Sequence, residues 1–139
     1  MATPFNERFA KFSPDGHWVA YESDDSGRYE IYVAPFHGPG GKRQISTGGG
    51  TFPRWRRDGK EIFYVGADGT LVATQVSVKG VAVDVGETQS LHIPVITSAF
   101  YLYDVSADGQ QFLVAAPREQ QSAAPLTLVQ NWKALLRKK

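Results

Sequence analysis

One phrase occurs three times in this chain. Phe12-Ser13-Pro14-Asp15-Gly16 returns as Trp55-Arg56-Arg57-Asp58-Gly59 and again as Val105-Ser106-Ala107-Asp108-Gly109. A large apolar residue stands three positions before each Asp (Phe12, Trp55, Val105) and another six before it (Phe9, Phe52, Leu102). Four and six positions after it come Val19 and Tyr21, Ile62 and Tyr64, Phe112 and Val114. That two-residue alternation belongs to a strand with one buried face. Each Asp-Gly is therefore a hairpin turn, with Asp15, Asp58 and Asp108 bonding local amides and Gly16, Gly59 and Gly109 supplying the positive φ of a short connection.

A third strand follows in every unit: Glu30 to Ala34, Thr70 to Thr74, and Leu126 to Val129. A short fourth follows in the first two, at Arg43 to Ser46 and Ser90 to Ile93. The middle unit carries further extended chain at Gln75 to Val78 and Val81 to Val85, which predicts longer third and fourth strands joined at Lys79-Gly80. Ser23 to Gly27 and Gly66 to Gly69 read as turns, and Pro117 to Pro125 as a long polar loop. Gly48-Gly49-Gly50 lacks the Lys-Ser/Thr of a phosphate loop and reads as a crossing between units.

A four-stranded antiparallel unit about every 40–50 residues is the footprint of a β-propeller blade. The fold class expected is all-β, with three blades at about 5–47, 48–94 and 95–139. The first unit, Phe12 to Tyr21 followed by Glu30-Ile31-Tyr32-Val33, resembles the repeat of the TolB-like propellers, the WD40-like or PD40 repeat. The second departs from it at Arg56-Arg57 and the third at Ala107. The closing run Ala124 to Trp132, with Lys138-Lys139, is similar to the last blade of propellers fused behind bacterial Ser/Thr kinase domains. The resemblance implies a six-bladed ring, and a parent protein whose propeller is periplasmic or extracytoplasmic.

Three blades are half of such a ring, so their apolar outer faces need a cover. A homodimer of three-blade chains closes six blades by two-fold association, and Thr3 to Asn6 is placed to lend an outer strand to the third unit of the other copy. Origin as a fragment of a larger protein is expected as well, and is compatible with the dimer.

Fifteen Lys and Arg against fourteen Asp and Glu give a net charge of +1, which supplies no field for nucleic acid or an anionic membrane. The absence of cysteine removes thiolate nucleophiles, disulfides and Cys-based metal sites. No apolar run reaches spanning length, and the start shows no signal-peptide pattern. His17, His37 and His92 are scattered, and no nucleophile elbow or kinase motif occurs. Glu22, Asp24 and Asp25 fall short of a calcium loop and read as a solvated turn. Trp55 reads as core, which argues against a nucleic-acid role for Arg54, Arg56 and Arg57. No enzyme activity, cofactor or metal is expected.

Lys11, Arg54 and Asp104 form a charged column four residues before each Asp. With Arg8, Thr51 and Tyr101 they are the candidate channel or rim residues for a protein or peptide ligand. The tail 131–139 has the spacing of a short docking helix. The function expected is a non-catalytic interaction or sensor module that self-associates. The alternatives are a gating segment of a prolyl-oligopeptidase-like or tricorn-like peptidase, and a purely structural half-propeller.

Overall fold

A computed structural model describes residues 3–97 and 102–115, and the backbone of 126–130. Tyr101, the polar loop 117–125 and the tail 131–139 lie outside the described residues. Among those described there is no helix, and so none long and apolar enough to cross a membrane. The strands form three antiparallel sheets. The first contains β1 (Glu7–Phe12), β2 (Trp18–Ser23), β3 (Glu30–Pro35) and β4 (Arg43–Gln44), in that order. The second contains β5 (Gly50–Trp55), β6 (Glu61–Gly66), β7 (Thr70–Lys79) and β8 (Ala82–Pro94). The third contains β9 (Tyr103–Val105), β10 (Gln111–Ala115) and β11 (Leu126–Gln130), with β10 in the middle.

The repeated turns have the conformation their residues dictate. Gly16, Gly59 and Gly109 adopt φ of 76°, 73° and 69°. The Asp carboxylate accepts the backbone N–H two residues on, from His17, Lys60 and Gln110, each at 3.0 Å. Ser13 and Ser106 complete the first and third turns, donating to Asp15 and Asp108 at 2.5 and 2.6 Å. In the second turn Arg56 stands in that place and binds both Asp58 (3.2 Å) and Glu61 (3.0 Å).

Side-chain alternation along the middle strands decides how the sheets stack. Positions three and five after the Asp form the back of a sheet, and positions four and six its front. The back of the first sheet (Trp18, Ala20, with Ile31, Val33 and Ile45) packs on the front of the second (Ile62, Tyr64). The back of the second (Phe63, with Leu71 and Ala73) packs on the front of the third (Phe112, Val114). The long β7–β8 arm adds Val76 and Val83 to the first of these layers.

Of the residues three before the Asp, Trp55 and Val105 pack against the core layers, while Phe12 departs from the expected core. Phe12 is 57% exposed and Trp55 only half-buried. Periodicity assigns a residue to a face, and among the described residues the front of the first sheet has no sheet before it. The segment before β1 is also tied to its own sheet, since Asn6 donates from its backbone and side chain to Asp24 at 2.9 and 2.7 Å.

The crossing between the first two sheets relies on Gly49. It has φ of 94°, donates its N–H to the buried Glu30 carboxylate at 2.9 Å, and a Cβ there would stand 2.9 Å from that of Ala67. Gly49→Ala is expected to cost about 1–3 kcal/mol. Gly48→Ala, where a Cβ meets nothing within 4 Å, is expected to be near neutral in the same thermal melts.

Candidate functional site

Phe9 and Phe52, six residues before their Asp, have left-handed backbones with φ of 53° and 57°. A bulky residue is strained there. Both lie where the pairing of inner and second strands slips, between Arg8 and Lys11 and between Thr51 and Arg54. The bulge absorbs the odd three-residue step between the two apolar positions of the repeat.

Phe52 is held from both neighbouring sheets. Its N–H donates at 3.0 Å to Glu22 on β2, a fully buried carboxylate that also receives the Arg8 guanidinium. Its carbonyl accepts the Tyr103 hydroxyl of β9 at 2.6 Å, with the Phe63 carbonyl 3.0 Å from the same oxygen. Burial pushes the Tyr103 phenol well above its ordinary value, so it stays a neutral donor. Glu22 is therefore a brace between sheets rather than part of a solvated turn. Burial raises its pKa, opposed by the Phe52 N–H and Arg8. Glu30 has a similar task, receiving Ser46, Arg28 and the Gly49 N–H.

Of the charged column, only the Arg54 side chain is drawn into the sheet stacking. The Arg54 guanidinium lies 5.7 Å from the centre of the Tyr103 ring. The Lys11 carbonyl accepts the Trp55 indole N–H at 3.0 Å, while Lys11 itself is exposed. Asp104 is exposed and accepts the adjacent Val105 N–H at 2.9 Å. Thr51 is half-buried opposite Val65, and Arg8 lies 3.8 Å from the centre of the Tyr29 ring. The Tyr103 and Glu22 contacts escape sequence reading, because each is made across a sheet interface between residues far apart in the chain.

Two depressions border these elements. A groove of about 890 Å³ between the first two sheets has Trp18, Trp55 and Val76 in its walls, with Arg57 and Lys60 also lining it. A smaller, more enclosed apolar pocket of about 280 Å³ on the front of the first sheet is lined by Ala10, Phe12, Val19, Pro35 and Phe36. Phe12 meets Phe36 edge to face at 4.7 Å, beside the separate buried layer of Val19, Tyr21, Tyr32 and Ala34.

His17 is exposed beside Asp15, His37 lies against Phe36, and His92 is exposed on β8. Among the described residues no group of three or more His, Asp or Glu is placed to hold a metal. No buried side-chain nitrogen or oxygen among them lacks a partner.

The aspartates of the first and third turns titrate in a definite direction. The Ser13 and Ser106 hydroxyls, then the backbone amides, hold Asp15 and Asp108 below the ordinary 3.8. Their contribution to stability is complete above that value and is lost as pH falls through the lower folded values. The Asp15→Asn, Asp108→Asn double variant is therefore expected to melt below the parent at neutral pH, with the gap closing below pH 3.8. A gap independent of pH would contradict this.

No family model matches the chain, and no curated protein matches it. Solved structures resemble it, and two of them are as follows. TolB from Acinetobacter baumannii superposes on 88% of this chain with a TM-score of 0.60 at 22% identity. An oligogalacturonate lyase from Vibrio parahaemolyticus superposes on 82% with a TM-score of 0.59 at 18% identity. The fold is that of a β-propeller. At these identities the likeness is one of fold alone. The chain spans less than a third of either structure, 29% of the TolB and 31% of the lyase.

Proposed function

We propose that the chain is a non-catalytic propeller module that works by association, and that it self-associates to complete a six-bladed ring. One observation carries this reading: Phe12 and Phe36, in contact edge to face beside the apolar pocket of the first sheet, are 57% and 47% exposed, while the corresponding layers between consecutive sheets are closed. Clustered aromatic surface of this kind marks a contact site. The buried carboxylates support the non-catalytic part, because Glu22, Glu30 and Glu61 all brace the frame through hydrogen bonds or ion pairs. An extracytoplasmic place beside a kinase domain, which the sequence resemblance implies, suits a part that acts by contact.

A protein or peptide ligand has room in the groove beside Trp55. Arg57 and Lys60 line it and make no ion pair with a described residue. The self-association is tested by light scattering over a micromolar dilution series. A mass above one chain is expected, and a soluble single chain at every concentration overturns it.

A further inference from the structure

The apolar pocket on the front of the first sheet has a specific counterpart on the third. At both closed interfaces the residue five after the Asp meets the next sheet's residue four after its Asp. Ala20 shares a layer with Ile62, and Phe63 stands edge to face on Phe112 with ring centres 5.0 Å apart. The next member of the series is Leu113. It is 44% exposed, with no following sheet among the described residues, and Asp104 lies opposite it in register. The residue with no preceding sheet among the described residues is Val19, itself buried, which lines the 280 Å³ apolar pocket together with the exposed Phe12 and Phe36.

The turns carry the same signature independently. A Cβ on Gly59 would meet Pro14 of the preceding turn at 3.9 Å, and one on Gly109 would meet Arg56 at 2.9 Å. One on Gly16 would meet nothing within 4 Å. Each turn is thus backed by the turn of the sheet before it, except the first.

We infer that the pocket lined by Ala10, Phe12, Val19, Pro35 and Phe36 receives Leu113 of a second copy of this chain, so that the third sheet of each copy backs onto the first sheet of the other. This rests on the self-association proposed above and specifies its geometry. The contact joins two different surfaces, and under a two-fold axis it occurs twice and closes. Continuity with the two interfaces inside the chain favours this occupant, because the surface left open at one end has the same positional identity as the surface each interior sheet offers.

The chain has no cysteine of its own, so single thiols report the pairing. Ala10→Cys and Leu113→Cys are purified separately, mixed, and oxidised in air. The expected product is the mixed 10–113 disulfide, with each variant alone staying reduced. Leu113→Asp is expected to lose the dimer while its far-ultraviolet circular dichroism is unchanged. A parent that sediments as a single chain overturns the self-association, and this inference with it. A dimeric parent that gives 10–10 or 113–113 disulfides, or none, overturns the pairing of sheets and leaves self-association standing.

Discussion

Replacing Phe63 by alanine is expected to lower stability by about 3–5 kcal/mol, the largest effect of any single substitution considered. Phe63 is fully buried at the centre of the layer between the second and third sheets, edge to face on Phe112. Its carbonyl lies 3.0 Å from the Tyr103 hydroxyl. Truncation removes the aromatic contact and leaves a cavity between two sheets that are each fixed by their own hydrogen bonds, so collapse fills little of it. At fixed protein concentration the loss corresponds to a fall in Tm of roughly 10 °C or more. The control is Phe12→Ala, on the exposed front of the first sheet. Its effect is expected to fall on association rather than on the melting of the single chain.

Glu22→Ala is the second large loss, about 3 kcal/mol. It strips the Phe52 N–H of its acceptor at a left-handed residue and leaves Arg8 without its carboxylate. Glu22→Gln keeps an acceptor for the amide and is expected to lose less. The two also separate by pH. Because burial raises the folded pKa of Glu22 above its ordinary 4.5, the folded state holds this proton more tightly than the unfolded chain. The contribution of Glu22 is then greatest below 4.5 and falls as pH rises through the folded value. Melts of parent and Glu22→Gln should therefore move in the parent's favour on acidification, opposite in sign to Asp15 and Asp108. A difference that moves the other way would show that the Arg8 pairing outweighs burial.

Most of the frame was legible in the sequence, because each sheet is announced by local chemistry. An Asp-Gly turn and two-residue alternation suffice to place β1 with β2, β5 with β6 and β9 with β10. The extra extended residues around Lys79-Gly80 mark the long β7–β8 arm. What escaped depends on neighbouring sheets. Phe12 has the pattern of a core residue, yet its burial requires a sheet in front of it, and none of the described strands supplies one. Glu22 reads as polar surface, and only the stacking of β2 on β5 sinks it. The bulges at Phe9 and Phe52 left one trace, the three-residue step between apolar positions that a regular strand cannot put on one face. The column of Lys11, Arg54 and Asp104 was visible as a repeat, but its direction was not: Arg54 lies over Tyr103 of the following sheet.

The claim that two chains make one closed ring is tested most directly by native mass spectrometry of the 15.3 kDa chain over a range of concentrations. A ring closed by two identical contacts leaves neither the Phe12 pocket nor Leu113 free, so the expected spectrum shows two chains and nothing larger as concentration rises. A single chain throughout, or a ladder of ever larger species from contacts that fail to close, would contradict it.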